Sequence, residues 1–160
     1  MAPVMQKRYC DGNDYEKYEF YANSKIEHLI FEGIEDVKGL TFLDLSCGNN
    51  LPMIYASGRM CEPWFCMSLV ELGAKEVIGI DTGDNSEEIF KHYKIDLTRH
   101  NSLGFLPSSS VDVATCFNFF DSPDLEEMLG GEHRLSIFRD YIGGQLKRIV
   151  KPQGIFPYNS

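Results

Sequence analysis

A chain of 160 residues, 43% hydrophobic and 24% charged, is one globular domain's worth of sequence and long enough to bury a real core. Its net charge of -9 and pI near 4.8 disfavour a protein held to DNA by general phosphate attraction, because a polyanion is repelled at long range; a local basic patch would still leave room for an RNA contact. No run of 18 apolar residues offers a membrane span, the start MAPVMQKRYCDGND lacks the apolar core of a signal peptide, and five cysteines without a CxxC pair read as buried thiols of a cytoplasmic protein.

Residues 1–13 read as a leader and 14–160 as a single domain. A helical pattern begins at Asp14, a candidate N-cap, and places Tyr15, Tyr18, Tyr21, Ile26, Leu29, Ile30 and Ile34 at spacings near three and four. Gly39 closes the turn before a short buried strand, TFLDLS, at 41–46. The next helix is EPWFCMSLVELG, with Pro63 in its first turn and Gly73 just past its end. EVIGID at 76–81 is a second strand. SEEIFKHY at 86–93 has a weak helical pattern, and YKIDL at 93–97 is a third strand. VDVATCF at 111–117 is a fourth. DLEEML is a short helix. A longer one over 134–149 carries Leu135, Phe138, Ile142, Leu146 and Ile149 on one stripe; Pro152 stops it, and QGIFP at 153–157 is a fifth strand.

Strands alternating with helices predict an α/β domain with a mainly parallel sheet and helices on both faces. Ligands of such sheets lie beyond the carboxyl ends of the strands. That rule singles out Asp44 to Asn50, Asp81, Asp96, and Phe117 to Asp121. An acid ending a second strand can accept hydrogen bonds from both hydroxyls of a ribose, and Asp81 fits that role. A dinucleotide would also need a GxGxxG phosphate cradle, but only Gly48 stands near the first turn. Glu62 and Pro63 would bring a carboxylate and a missing N–H to the following helix start. S-adenosylmethionine carries a sulfonium in place of phosphate. Asp44, Asp81 and Asp96, with Phe117, Phe119 and Phe120, supply acids for its hydroxyls and amine and aromatic faces for its cation. His28, His92 and His100 share no ligand spacing, so no metal is expected.

In LDLSCG, LVELGAKEVIGID, KIDL, SSSVDVATCFNFF and LKRIVKPQGIF, the chain resembles the class I S-adenosylmethionine-dependent methyltransferases, over about residues 40 to 157 and in the family's order. The resemblance implies a Rossmann-like three-layer αβα sandwich with about five strands in the order 3-2-1-4-5. The family's C-terminal antiparallel hairpin would be missing, leaving the fifth strand as an edge for a second copy or a partner chain to cover. It also implies that Ser46 and Gly48 line the methionine end of the cofactor with Asp44 beneath them. Asp81 would hold the ribose and Asp96 with Leu97 the adenine, while Phe117 and Asn118 would lie near the sulfonium and the acceptor.

Ser46 and Asn50 stand where the family has glycines. Residues 51–60, LPMIYASGRM, form an insertion whose Gly58 would replace a missing glycine, unless the segment is a lid or a surface elaboration. Asp121 and His133 are candidate bases, and Asn118-Phe119-Phe120 resembles the Asn-Pro-Pro-aromatic signature of amino-group methyltransferases without its prolines. Three functions stay open: a methyltransferase acting on a small molecule or a protein, a non-catalytic binding or partner subunit on the same fold, and a nucleotide-binding oxidoreductase.

Overall fold

The computed structural model describes residues 24–47, 63–83, 89–117, 119–120 and 123–156. Over residues 24–31 the chain is helical (α1). There follow β1 (Thr41–Leu45), α2 (Trp64–Glu71), β2 (Glu76–Asp81), β3 (Lys91–Lys94), β4 (Val111–Thr115), α3 (Pro123–Leu129), α4 (Glu132–Ile149) and β5 (Val150–Ile155). The five strands form one sheet in the order β3-β2-β1-β4-β5, with parallel pairing throughout. This is the Rossmann-like arrangement expected from the alternating pattern.

Alternation along each strand divides the core into two layers. Phe42, Val77 and Val113 pack with Leu29 of α1 and with Trp64, Phe65, Cys66, Met67 and Leu69 of α2. Leu43, Leu45, Ile78, Ile80 and Ala114 pack on the opposite face with Leu125 of α3 and with Leu135, Phe138, Ile142, Leu146 and Ile149 of α4. All five residues of β1 are buried, as befits a central strand covered on both faces. The α4 stripe is the one its sequence periodicity predicts.

Glycine closes α1 and α2 in the same manner. Gly33 (φ 95°) and Gly73 (φ 92°) take the left-handed conformation. The pairs Gly33 N–H to Ile30 O with Ile34 N–H to Leu29 O, and Gly73 N–H to Val70 O with Ala74 N–H to Leu69 O, satisfy the last carbonyls. Pro63 stands at the N-cap of α2 with ψ 44°, one position earlier than its expected place in the first turn.

Three elements differ from the sequence reading. Residues 91–93, expected at the end of a helix, belong to β3, and β3 occupies Lys91–Lys94 where 93–97 was expected. Pairing with β2 from Ile78–Lys91 to Asp81–Lys94 overrides the local helical pattern, and the strand ends where Asp96 turns the chain through its own side chain. Strand β5 begins directly after α4 at Val150 and includes Pro152. Among the described strands β5 is an edge, where proline costs no ladder bond.

The β4–β5 register shifts between Val111 and Val113, so β5 bulges there. A Cβ on Gly154 would lie 2.6 Å from the Asp112 carbonyl oxygen, which accounts for glycine at the bulge. Bulge, lysine and proline together blunt this edge against further pairing.

Candidate functional site

Strand parity gathers the site. In register, Asp44 pairs with Gly79 of β2 and Thr115 of β4. Asp81 and Phe117 follow two residues further along their own chains. All five therefore share the α1/α2 side of the sheet, and Asp44, Asp81 and Phe117 cluster at its carboxyl end. Asp44 is 1% exposed, Asp81 6% and Phe117 5%.

Two buried acids on one face need partners, because burying a charge is costly otherwise. Thr115 Oγ1 donates to Asp44 Oδ1 at 2.6 Å, and the Cys66 thiol donates to Oδ2 at 3.7 Å. Burial pushes the Asp44 carboxyl above the usual carboxylate range, against the pull of Lys25, Thr115 and Cys66. Asp81 ends β2 with Oδ1 accepting from Gly83 N–H at 3.0 Å, an Asx turn that aims the carboxylate beyond the strand end.

Between these acids the backbone is close-packed. Cys47 N–H donates to Ile80 O at 3.0 Å. A Cβ on Gly79 would meet Phe90 Cε2 at 2.6 Å and Cys47 Sγ at 2.8 Å, so Gly79 admits the two side chains directly over β2. Ser46, expected from the sequence resemblance to stand at a glycine position, has φ 60°. The turn therefore does demand a left-handed residue here, and a non-glycine residue holds it at some cost.

Burial pushes the Cys66 thiol well up, with its hydrogen bond to Cys47 and the Asp44 charge acting the same way. The same hydrogen bond holds Cys47 down, but burial and the nearby carboxylates raise it overall. Cys47, Cys66 and Cys116 are buried thiols, and such burial disfavours the thiolate.

The aromatic wall comes from two elements. Phe65 of α2 and Phe117 after β4 meet edge to face with centroids 5.3 Å apart, and His28 of α1 abuts Phe117 at 5.6 Å. Lys25 of α1 places Nζ 5.2 Å from the Phe117 centroid and 5.5 Å from that of Phe65, both within cation–π range. Nothing in the sequence marked Lys25, Phe65 or Thr115 as site residues. Thr115 lies 71 positions from Asp44, and only strand pairing joins them.

Asp96 and Leu97 lie beyond β3. Asp96 Oδ1 accepts from Thr98 N–H at 2.9 Å and Thr98 Oγ1 at 2.6 Å, and Arg99 Nε is 3.5 Å from Oδ2. The Thr98 hydroxyl, followed by Thr98 N–H and Arg99, holds the carboxyl below its usual range despite partial burial. Leu97 is buried with Leu103 and Leu106 in the α3/α4 layer, on the face away from Asp44. Phe119 and Phe120 stack on each other and on Phe138 of α4, also in that layer. His133 is exposed in the first turn of α4. Gly48, Asn49, Asn50, the 51–60 insertion with Gly58, Asn118 and Asp121 lie outside the described residues.

No family model matches the sequence, and no curated protein matches it. Solved structures do resemble the fold. An S-adenosylmethionine-dependent methyltransferase from Mesorhizobium loti is 20% identical, with 76% of this chain and 46% of that one covered and a TM-score of 0.45. The Trypanosoma brucei PRMT1 enzyme–prozyme heterotetrameric complex with AdoHcy is 15% identical over 88% of this chain and 38% of that one, at 0.45. A magnesium protoporphyrin IX methyltransferase from Synechocystis with bound SAM is 18% identical over 84% and 64%, at 0.43. The chain thus spans less than two thirds of each of these proteins. At such scores they establish neither an activity nor a ligand for this chain.

Proposed function

We propose that the chain is an S-adenosylmethionine-dependent methyltransferase acting on a small molecule or a protein. The observation that carries this reading is the pairing of buried acids with a cation-binding ring pair at the carboxyl ends of β1, β2 and β4. The donor set fits the cofactor. Asp81 offers a carboxylate at the strand end for the ribose hydroxyls. Asp44 and the Phe65–Phe117 wall suit a positive centre, and the Lys25 ammonium, standing in for one, already rests against the rings.

In this proposal Asp44 lies beneath a turn in which Ser46, Gly48, Asn50 and Gly58 hold the methionine end. Asp96 flanks the adenine, with Leu97 packed behind it in the α3/α4 layer, and Phe117 and Asn118 face the sulfonium and the acceptor. Bound S-adenosylmethionine would supply an activated methyl group for in-line displacement. The chain's part is to align donor and acceptor and keep water out, with Asp121 taking a proton where the acceptor must lose one. A cytoplasmic setting suits the buried thiols; no helix among the described residues is long and apolar enough to cross a membrane.

A second reading has an observation of its own. Lys25 in the cleft and the left-handed Ser46 favour a non-catalytic subunit on the same fold, paired with another chain or a second copy. Calorimetric titration with S-adenosylmethionine, S-adenosylhomocysteine and NAD separates the readings. Micromolar binding followed by methylation of an acceptor is expected. Binding without methylated product across acceptor classes selects the second reading, binding of NAD alone selects an oxidoreductase, and no binding at millimolar concentration removes the first.

A further inference from the structure

The ring pair beside the buried acids is not merely suited to a cation; one of the chain's own cations rests against it. Lys25 lies one turn before His28 on α1, so the helix places both side chains against Phe117. Its Nζ faces both Phe117 and Phe65. The Asp44 carboxylate, buried beneath this wall and hydrogen-bonded by Thr115 and Cys66, is near enough for the Lys25 charge to act on it. Lys25 itself is only partly buried. A lysine stem at a helix surface can carry its ammonium out to water at small cost.

From this geometry we infer that Lys25 is a specificity-determining residue of the cofactor cleft, setting the preference between a cationic and a neutral thioether ligand. The inference rests on the methyl-donor reading above. S-adenosylmethionine and S-adenosylhomocysteine share the adenosine, the ammonium and the carboxylate, and differ at sulfur, where the first is a sulfonium with a methyl group and the second is neutral. A sulfonium brought to Phe65 and Phe117 meets the Lys25 charge at the same rings and must displace it. A neutral sulfur carries no such demand. Lys25 therefore weakens the charged ligand selectively and narrows the affinity gap between the two.

The test is calorimetric binding of both ligands to the full chain as wild type, Lys25→Gln and Lys25→Arg. Lys25→Gln is expected to raise S-adenosylmethionine affinity about tenfold while S-adenosylhomocysteine affinity moves less than threefold. Lys25→Arg, which keeps the charge, is expected to keep the wild-type ratio. Binding of S-adenosylmethionine to Lys25→Gln alone would also support the inference. An unchanged ratio in Lys25→Gln would overturn it while leaving the methyl-donor reading standing. Equal loss of both ligands would overturn it too, by making Lys25 a holder of their shared carboxylate. Failure of every variant to bind either ligand would remove the inference together with the reading it rests on. Thermal unfolding without ligand checks that each variant is folded.

Discussion

Asp44 and Asp81 are acids of one face, on the neighbouring strands β1 and β2. Asp81 ends its strand and is oriented by Gly83 N–H, so its loss should be read in binding. Asp81→Ala is expected to weaken S-adenosylmethionine affinity at least tenfold, about 1.4 kcal/mol, in calorimetric titration; unchanged affinity in a folded variant would take Asp81 out of the site. Asp44 is sealed in the interior, and its loss should be read in stability against pH. Burial raises its folded-state pKa above the ordinary 3.8. Between 3.8 and the raised value the folded chain holds a proton that the unfolded chain has released. Stability therefore falls as pH rises through that window and is level above it. Asp44→Asn, which keeps an acceptor for Thr115, is expected to lack this fall when unfolding by urea is followed from pH 3.5 to 8. A decline as steep as in the wild type would assign it to another group. Both acids were legible in the sequence as strand-end carboxylates; that Asp44 is tied to Thr115 and Cys66 was not, because those partners lie 71 and 22 positions away.

At the scale of elements, pairing outranks local pattern. The segment over 91–93 has helical character by itself and becomes strand because β2 offers a partner ladder. The edge strand KHYK is only half-buried, so it lacks the apolar run by which the central strands announce themselves. Likewise Pro152 is a helix stop in isolation, yet it sits inside β5. Asp112 of β4 shows how the strands are cross-tied: its Oδ2 accepts from Thr41 N–H of β1 at 2.8 Å and its Oδ1 from Lys151 Nζ of β5 at 2.9 Å. Partial burial raises the Asp112 carboxyl, but the Lys151 and Thr41 bonds outweigh it and hold the pKa below 3.8. A depressed folded-state value means stability that is present above pH 3.8 and is lost as pH falls through the folded pKa. Asp112→Ala is expected to cost about 1–2 kcal/mol at neutral pH, with the gap to wild type narrowing below pH 3.8 in chemical denaturation. A gap constant down to pH 2 would mean that the charge is not what ties the strands.

For the whole molecule, the parallel sheet presents its carboxyl ends as a single rim, and whatever binds there is linked to folding. S-adenosylmethionine at a hundredfold excess over its Kd is expected to add about 2.7 kcal/mol to stability, seen as a rise in Tm that a tenfold weaker affinity in Asp81→Ala cuts to about half; a Tm indifferent to ligand would separate the fold from the proposed cofactor. The sequence by itself determined the alternation of strand and helix, the buried centre of the sheet, the α4 stripe and the acids at the strand ends. These follow from spacings of two to four residues and from glycine or acid at a strand's last position, which are local chemistry. Only the tertiary structure decided that β3 is a strand over Lys91–Lys94, that Leu97 faces the opposite layer from Asp44, and that Lys25 rests against Phe65 and Phe117. Each of those depends on packing segments far apart in the chain. No local spacing records which distant side chain will fill a cleft, because the contact exists only once the sheet has brought its walls together.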